Sequence, residues 1–337
     1  MKIGLTYDLR DHYLKEGYSE EETAEFDRES TIEALEEAVR ANGHIPERIG
    51  NIKQLVAALN SGKKWDMVFN ICEGLHGKYS REAQVPALLD AYNIPYTFSD
   101  PLIMALSLKK DLTKVVVKNA GFRTPDFYLI NNVDEIACVK LKFPVFLKPV
   151  AEGTSKGVSE NSKVNSQDEL TAVATTLLKK YKQPVLAERF CTGREFTTGV
   201  LGTGKDAEYL GALEIILNES AEKNAYSYIN KERCEELVEY RLLVDDKLNS
   251  KLGELSLGIW NLLECRDAGR LDFMMDEDGK LSFIEVNPLA GIHPTHSDLP
   301  ILWSKLGRDY NDLIGRIIDS VMKRSEINET SRLKSVL

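Results

Sequence analysis

A pair of acidic residues near the C-terminus could bind a divalent cation. In the segment GRLDFMMDEDGKLSFIEVNP, two strand-like runs flank DEDG, which is a strong hairpin turn signal. With Asp278 and Gly279 as the turn, Asp272 lies directly across from Glu285 on one face of the hairpin. Opposed carboxylates repel each other, and Mg²⁺, which prefers carboxylate and phosphate oxygens, would remove the repulsion. Because Asn287 shares this face, the pattern favours a metal site over a solvated surface hairpin.

A second candidate site is the segment KPVAEGTSKGVS, which follows the apolar run FPVFL. A glycine-rich loop leaves backbone N–H groups free for phosphate oxygens, and its small side chains permit close approach. Thr154 and Ser155 add hydroxyl donors, and Lys148 brings a positive charge to the same place. The segment is neither a Walker A sequence nor a G-x-G-x-x-G motif, so an ordinary turn is the alternative interpretation.

The composition of the chain excludes several classes of protein. Its 337 residues predict roughly two or three domains. The formal net charge of −10 argues against a nucleic-acid partner, because binding to a phosphate backbone needs a basic surface. No apolar run approaches the ~20 residues of a membrane span, and the first residues lack the apolar region of a signal peptide. Five scattered cysteines without a C-x-x-C pair indicate reduced thiols. We therefore expect a cytoplasmic protein with no membrane partner.

The order of predicted elements divides the chain into three folded parts. Strands KIGLTY, WDMVFNI and IPYTF alternate with helices over 21–41 and REAQVPALLDAY, which predicts an α/β domain with a parallel sheet over 1–99. Residues 100–183 read as a small α+β domain that carries the glycine-rich loop. Longer strands and the acidic hairpin predict a second α+β domain over 184–325, and the polar residues 326–337 predict a flexible tail.

Taken together, these segments resemble the ATP-grasp superfamily and, within it, the D-alanine–D-alanine ligases. The resemblance covers roughly 65–305, with the segments in the family's order. They are VFNICEGLHGK, REAQVPALLDAYNIPYTFSD, ALSLKKDLTKVVVKNAG, FPVFLKPVAEGTSKGVS, VLAERFCTGREFTTGVLG and GRLDFMMDEDGKLSFIEVNPLAGIHPTHSDLP. Each segment alone is a weak signal, whereas the set is specific. The resemblance implies a Rossmann-like N-terminal domain, two α+β domains that clasp ATP, and a homodimer.

The resemblance also implies a role for each matched residue. The expected ATP contacts are Lys110, Lys148, Glu152, Gly153, Thr154, Ser155 and Lys231 at the phosphates, Glu188, Arg189 and Phe190 at the adenine, and Glu195 at the ribose. The expected ligands of Mg²⁺, for which Mn²⁺ could substitute, are Asp272, Glu285 and Asn287. The expected catalytic groups are Arg270, the Gly291 N–H and Thr154, and the expected contacts of the amino-acid substrates are Glu82 and Ser297.

The reaction implied is ATP-dependent joining of two amino acids, with D-alanine and D-alanine for peptidoglycan precursors as the first candidate. A carboxylate is a poor electrophile, but phosphorylation by ATP converts it to an acyl phosphate that an amine can attack. Lysines, an arginine and Mg²⁺ supply the charge neutralisation and positioning that this requires. The alternatives are a related ligase with another acid or amine, and a nucleotide-binding regulator without catalysis. The regulator is disfavoured because Arg270 and the metal ligands are retained.

Three departures from the family pattern concern mainly the amino-acid side of the site. The usual Gly-Gly-x-Ser-x-Glu segment is replaced by TYDLRDHYLKEGYSEEETAEFDREST, in which Glu22, Glu25 or Asp27 could supply the acid that binds an ammonium group. Glu232 stands where the family has a loop-closing tyrosine, and Thr154 stands where a serine is common. The remaining eye-catching residues, His76, His293 and His296, are not spaced as a zinc set, and polar-cleft histidines are the favoured interpretation.

Overall fold

A three-stranded parallel sheet with helices packed against it forms the N-terminal part. Its elements are β1 (Lys2–Tyr7), α1 (Arg10–Lys15), α2 (Glu29–Ala41), β2 (Ile45–Gly50), α3 (Ile52–Asn60), β3 (Met67–Ile71) and α4 (Gln84–Ala91). The strand order is β2-β1-β3, and β1 pairs in parallel with both neighbours. Ile3, Leu5 and Phe69 are fully buried, as expected for strands that helices cover on both faces. The predicted parallel α/β arrangement is therefore present.

Helix α2 begins later than the predicted range 21–41, because the preceding residues are tied to the end of the first strand. The helix begins at Glu29. Before it, the Asp27 N–H donates to the Asp8 carbonyl at 3.0 Å, and the Arg10 N–H donates to the Asp27 carbonyl at 2.9 Å. These bonds tie Asp27 to the end of β1, while residues 20–25 form turns, and they bring the acidic side chains of this segment beside the end of the sheet.

Two further predictions for this part were wrong in detail. The predicted strand IPYTF makes only an isolated bridge between Tyr96 and Val68. Conversely, β2 and α3 occupy a stretch without a predicted element. The β2 sequence IPERIG has mostly half-buried and exposed side chains, so it shows no clear apolar alternation that could mark a strand.

The central part contains a four-stranded antiparallel sheet. Its elements are α5 (Pro101–Leu108), α6 (Lys110–Asn119), β4 (Phe127–Ile130), β5 (Val145–Pro149), β6 (Lys163–Val164), α7 (Gln167–Tyr181) and β7 (Val185–Arg189). The order is β4-β7-β5-β6, and Leu170 and Leu177 of α7 pack on Val145 and its neighbours in one core. Because β7 pairs with β4 and β5, this sheet extends past the predicted limit at residue 183.

The C-terminal part is built on a five-stranded antiparallel sheet of order β10-β9-β8-β11-β12. Its elements are β8 (Glu195–Leu201), β9 (Glu208–Leu217), α8 (Tyr228–Glu232), α9 (Cys234–Leu237), β10 (Val238–Leu242), α10 (Asp246–Leu262), β11 (Ala268–Met275), β12 (Leu281–Asn287), α11 (Asp298–Lys305) and α12 (Tyr310–Val336). Helix α10 packs on one face of the sheet. Its fully buried Trp260 donates from Nε1 to the Gly202 carbonyl at 3.1 Å.

The last helix connects the two ends of the chain. Ile314 and Ile317 of α12 share a core with Ile32 and Leu35 of α2, together with apolar residues of the first sheet. The N-terminal domain is thus completed by residues from the far end of the sequence. This shared core fixes the N-terminal domain against the C-terminal part that carries the acidic hairpin.

The structure describes residues 1–76, 78–222 and 227–336, with side chains up to Ser325. The side chains of the predicted flexible tail, 326–337, lie outside this part, and its flexibility stays a prediction. Among the helices of the described residues, none combines the length and apolar character needed to cross a bilayer.

Candidate active site

Two cavities meet between the three parts of the chain. The first measures about 960 Å³ and lies between the central and C-terminal sheets. The second measures about 1070 Å³ and lies between the N-terminal domain and the C-terminal hairpin. Three residues line both cavities: Lys110, Arg270 and Glu285. A molecule in one cavity could therefore react with a molecule in the other at this junction.

All the predicted site residues line one or both of these cavities, although they come from all three parts of the chain. Besides the shared three, the first cavity contains Lys148, Glu152, Ser155, Glu188, Arg189, Phe190, Glu195, Lys231 and Asp272. The second contains Glu82, Gly153, Thr154, Asn287, Gly291 and Ser297. The structure thus brings the predicted residues together, while their individual roles stay predictions.

The predicted pairing across the acidic hairpin is present, although the predicted turn was wrong by one residue. Asp272 is paired with Glu285 on the adjacent strand. The turn contains three residues instead of two, because the Asp276 N–H donates to the Lys280 carbonyl at 3.0 Å. Gly279 adopts a φ of +73°, the left-handed conformation that ends such three-residue turns.

A bulge in β12 compensates for the longer turn. The register shifts by one residue on passing from Phe273, which pairs with Phe283, to Asp272, which pairs with Glu285. The extra residue is Ile284, which lines the first cavity beside Glu285, whereas Phe283 is 1% exposed and packs in the core. The bulge therefore keeps both carboxylates on the cavity side of the sheet.

A chain of alternating charges extends along the floor of the first cavity. Lys148 Nζ lies 3.0 Å from Glu188 Oε2 and 3.6 Å from Glu285 Oε2. Glu188 is also paired with Lys114, whose Nζ lies 2.6 Å away. Although burial opposes ionisation, the two lysines hold the pKa of Glu188 below its ordinary value. The two lysines thus favour the ionised form of Glu188.

Sequence reasoning missed Lys114. It is fully buried and donates to Thr124 Oγ1 at 3.1 Å. Lys114 and Lys148 share Glu188 as a partner. Burial lowers the pKa of Lys114, and Glu188 opposes that effect. Its helical spacing from Lys110, one turn earlier on α6, was the available signal.

Lys110 lies at the junction of the cavities, where it is close to several acceptors. Its Nζ donates to the Glu152 carbonyl at 2.7 Å and lies 3.9 Å from Glu285 Oε2. Burial lowers the pKa of Lys110, and Glu285 acts in the opposite direction. Burial favours the protonated form of Glu285. The nearby charges of Lys110 and Lys148 outweigh this effect and hold the pKa of Glu285 far below its ordinary value.

The residues predicted to bind Mg²⁺ form a donor set that fits the ion. Asp272 accepts hydrogen bonds from Thr197 Oγ1 at 2.7 Å and from Asn287 Nδ2 at 3.2 Å. Burial raises the pKa of Asp272, and repulsion from Glu285 raises it further, although Arg270 opposes both effects. Two carboxylates and a carboxamide that together carry excess negative charge are suitable oxygen ligands for a divalent cation. As a ligand, Asn287 would present its Oδ1.

Arg270 is held by two aspartates where the cavities join. Its Nη1 donates to Asp298 at the start of α11 and lies 3.5 Å from Asp272 Oδ1. Beside it, a Cβ atom on Gly291 would lie 2.7 Å from Ser297 Oγ, so a larger residue would require the Ser297 side chain to move. Ser297 Oγ in turn accepts from the His293 N–H at 3.0 Å. A cation and a loop constrained by close packing thus face the same junction.

The glycine-rich loop has a strained backbone that other residues hold in place. Thr154 and Ser155 have φ values of +46° and +55°, which are rare for residues other than glycine. The Gly153 N–H donates to Glu25 Oε1 at 2.6 Å, and Lys156 Nζ lies 2.9 Å from Glu25 Oε2. An acidic residue of the N-terminal domain therefore fixes the loop over the first cavity.

Arg81 completes this contact. Its Nη2 donates to both oxygens of Glu25, at 2.8 and 3.0 Å, and its Nη1 donates to the Ala151 carbonyl at 2.9 Å. Burial raises the pKa of Glu25, but Arg81 and Lys156 outweigh it and lower the pKa to about 2. No sequence signal indicated Arg81, because its partners are distant along the chain.

Comparison with known proteins identifies the family. The family described as "D-ala D-ala ligase C-terminus" matches residues 110–319. The D-alanine–D-alanine ligase of Aquifex aeolicus is 38% identical over 86% of this chain and 93% of its own. The chain belongs to the D-alanine–D-alanine ligase family. The enzyme of Bordetella petrii that carries this name is 33% identical, over 72% of this chain and 73% of its own.

Solved structures confirm the fold of this ATP-dependent ligase family. The D-alanine–D-alanine ligase of Bacillus anthracis, in a complex with ATP, has a TM-score of 0.72 at 24% identity, over 97% of this chain and 99% of its own. The VanG D-Ala:D-Ser ligase of Enterococcus faecalis also scores 0.72, at 21% identity, over 95% and 99%. The predicted ATP-grasp fold, with an α/β domain before two α+β parts, is therefore confirmed.

The three acids that could replace the N-terminal glutamate of the D-alanine–D-alanine ligases have different surroundings. Glu22 is exposed, accepts from Ser19 and faces a different cavity. Glu25 lines the second cavity, but cations and the loop already occupy its oxygens. Asp27 also lines the second cavity, and burial raises its pKa well above its ordinary value, with Asp8 adding to the effect. Asp27 is therefore the best placed of the three to attract an ammonium group.

Two further acids of the second cavity have raised pKa values. Burial raises the pKa of Glu82 to about 7, since the nearby charge of Arg81 only partly offsets it. Burial and repulsion from Glu82 also raise the pKa of Glu73 well above its ordinary value. A cationic group that entered this cavity would lower these pKa values and gain attraction from the carboxylates.

The histidines line clefts, and His296 lies in a small cluster with Cys234 and Glu235. His293 and His296 line the second cavity, and His76 is an exposed residue of another one, as the polar-cleft interpretation predicts. His296 Nδ1 lies 3.0 Å from Glu235 Oε1 and 3.5 Å from Cys234 Sγ. These hydrogen-bonding distances account for its position.

Proposed function

We propose that the protein joins two D-alanine molecules at the expense of ATP, for peptidoglycan precursors. The observation that supports this most strongly is the junction of the two cavities at Lys110, Arg270 and Glu285. A nucleotide in the first cavity would direct its terminal phosphate toward the junction, and an amino acid in the second would direct its carboxylate there. Relatives named D-alanine–D-alanine ligase match most of the chain.

The first step is phosphoryl transfer. A carboxylate oxygen of the first amino acid bonds to the γ-phosphorus of ATP, and the bond between that phosphorus and the bridging oxygen breaks to release ADP. Lys110 and Lys148 would neutralise the phosphate charge, and the loop at 152–155, whose Gly153 N–H is held by Glu25, would cover the phosphates. Asp27 and Glu82 would attract the ammonium group of this amino acid.

The second step forms the peptide bond. The amine of the second amino acid attacks the carbonyl carbon of the acyl phosphate, loses a proton, and expels inorganic phosphate with its bonding electron pair. Arg270 and the Gly291 N–H would stabilise the oxyanion of the tetrahedral intermediate, and the Thr154 hydroxyl lies on the same side. Ser297 would bind the carboxylate of the second amino acid.

Asp272, Glu285 and Asn287 would hold Mg²⁺, with Mn²⁺ as a possible substitute. The ion supplies further charge neutralisation at the phosphates. Glu188, Arg189 and Phe190 would contact the adenine, Glu195 the ribose hydroxyls, and Lys231 a phosphate. A homodimer and a cytoplasmic location are also part of this proposal.

A related ligase with a different amino acid is the second candidate. The observation that favours it is the second cavity, which Asp27, Glu73 and Glu82 line together and where Glu232 stands in the position of the family pattern's tyrosine. The nucleotide side of the site shows no comparable change.

A substrate screen that measures both phosphate and dipeptide tests the proposal. Purified protein with Mg-ATP and D-alanine alone should release one phosphate per D-alanyl-D-alanine formed. Release that requires another amino acid would establish the second candidate. Nucleotide binding without phosphate release, for every amino acid tried, would contradict both and indicate a regulator.

A further inference from the structure

Helix α8 contacts both the glycine-rich loop segment, Lys148–Ser159, and the N-terminal domain. At its start, the Tyr228 N–H donates to the carbonyl of Val158, at the end of the loop, over 3.4 Å. At its end, Glu232 Oε2 accepts a hydrogen bond from Arg10 Nη1 over 3.3 Å. Between these contacts, Lys231 lines the first cavity, whereas Glu232 lines the second. The orientation of this one short helix therefore sets which side chains line both cavities.

Arg10 is suited to hold this helix. Its side chain is 11% exposed, and its Nη2 donates to Glu20 Oε2 at 2.6 Å, so one guanidinium contacts two carboxylates. Burial lowers the pKa of Arg10, but attraction to Glu232 and Glu20 outweighs it and the pKa is raised. Of these two ion pairs, the one with Glu232 crosses from the N-terminal domain to the C-terminal part, because Glu20 belongs to the same domain as Arg10.

We propose that Arg10 and Glu232 are a positioning pair that seats α8 over the active site. The pair brings Lys231 to the nucleotide and covers the junction of the cavities. The proposal depends on the assignment of the first cavity to ATP, which belongs to the proposed function.

Two effects should follow if the pair is broken. Lys231 would be less well placed, so the KM for ATP should rise. Water would also reach the junction, where its oxygen would attack the acyl phosphate in place of the amine. Phosphate would then leave, the original carboxylate would be regenerated, and phosphate release would exceed dipeptide formation.

The decisive variant is Glu232→Gln, which preserves shape and removes the charge at a partly exposed position. We expect the KM for ATP to rise at least about threefold. We also expect more than one phosphate to be released per dipeptide. Glu20→Gln is the matched control, since it removes the other partner of the same arginine without affecting the cross-domain contact, and it should behave as wild type.

A double-mutant cycle separates the pair from general structural effects. Arg10→Met should cause the same two changes, Arg10→Lys should restore part of each, and Arg10→Met with Glu232→Gln should cost less than the sum of the single changes. Wild-type behaviour of Glu232→Gln, or equal effects of Glu232→Gln and Glu20→Gln, would overturn the proposal. If no amino acid supports ligation, titration with Mg-ATP still compares nucleotide affinity between Glu232→Gln, Glu20→Gln and wild type. Failure of the positioning pair can therefore be distinguished from failure of the proposed function.

Discussion

Asp272 and Glu285 lie opposite each other although the turn between their strands is one residue longer than the shortest hairpin would have. The bulge at Ile284 restores the pairing. Without it, one of the two carboxylates would face the core on the other side of the sheet. The two features together preserve a site where negative charge is concentrated, which is the physical basis of the predicted metal binding.

Removal of one of these carboxylates should weaken the response to Mg²⁺. For Asp272→Asn we expect the Mg²⁺ concentration for half-maximal activity to rise at least about tenfold, because a charged oxygen ligand is lost. A magnesium titration at saturating ATP measures this. Asp278→Asn, in the exposed turn of the same hairpin, is the control. An unchanged titration for Asp272→Asn would exclude it as a ligand.

Lys148→Ala should weaken nucleotide binding about ten- to a hundredfold, since one charge-assisted contact to the phosphates is lost. The variant also leaves Glu188 and Glu285 with one fewer partner, so the free energy of unfolding should fall by about 1–3 kcal/mol. Nucleotide titration and urea unfolding separate the two effects, with exposed Lys142→Ala as control. Normal ATP affinity in Lys148→Ala would count against the phosphate role.

Arg270→Ala should lower the ligation rate at least about a hundredfold while Mg-ATP still binds, because an oxyanion contact is strongest in the transition state. Asp298→Asn is a second variant to compare, since it removes the charge of one of the two aspartates that hold Arg270 and retains the guanidinium. Thermal melting must be measured alongside the rate. Near-normal ligation by Arg270→Ala would refute the oxyanion role, and a large fall in melting temperature would indicate a structural one.

The raised pKa of Glu82 makes stability depend on pH. Below its ordinary pKa of 4.5, the carboxyl is neutral in both the folded and the unfolded chain. As the pH rises through about 7, the folded protein must ionise a buried group, so the stabilising contribution is lost. Glu82→Gln stays neutral, and between pH 5 and pH 8 it should gain about 1–3 kcal/mol relative to wild type.

Urea unfolding at pH 5 and pH 8 measures this difference, with exposed Glu37→Gln as control. The same pKa predicts that D-alanine binding near pH 7 releases protons, because an ammonium group favours the ionised carboxylate. Calorimetry in buffers of different ionisation enthalpy detects the release. Equal stability differences at both pH values would show that Glu82 titrates normally.

The features predictable from sequence were those with a short-range pattern. The loop at 152–155 follows from its composition, whereas the pairing of Asp272 with Glu285 was predicted correctly because the error in turn length and the bulge at Ile284 cancel. The turn length was not predictable, because a bulge has no reliable signature in a single sequence. Lys114 and Arg81 were missed because only tertiary packing shows that their charges are buried beside Glu188 and Glu25.

The predictions of where α2 begins and of which sheet contains β7 were wrong for the same reason. Residues before Glu29 have helix-forming composition, yet they form turns, because backbone bonds tie Asp27 to the end of the first strand. Strand β7 has the apolar pattern of any buried strand, and that pattern does not state which sheet it joins. Long-range pairing overrode local preference in both cases.

The contact between Glu25 and the loop at 152–156 has a consequence for the entropy of nucleotide binding. Fixing the backbone of a residue costs about 1–2 kcal/mol, and a loop that becomes ordered only around its ligand subtracts that cost from the affinity. Here the Gly153 N–H and Lys156 are already held by Glu25, and Glu25 by Arg81. The cost of ordering is met when the chain folds, so more of the phosphate interaction energy remains as binding affinity.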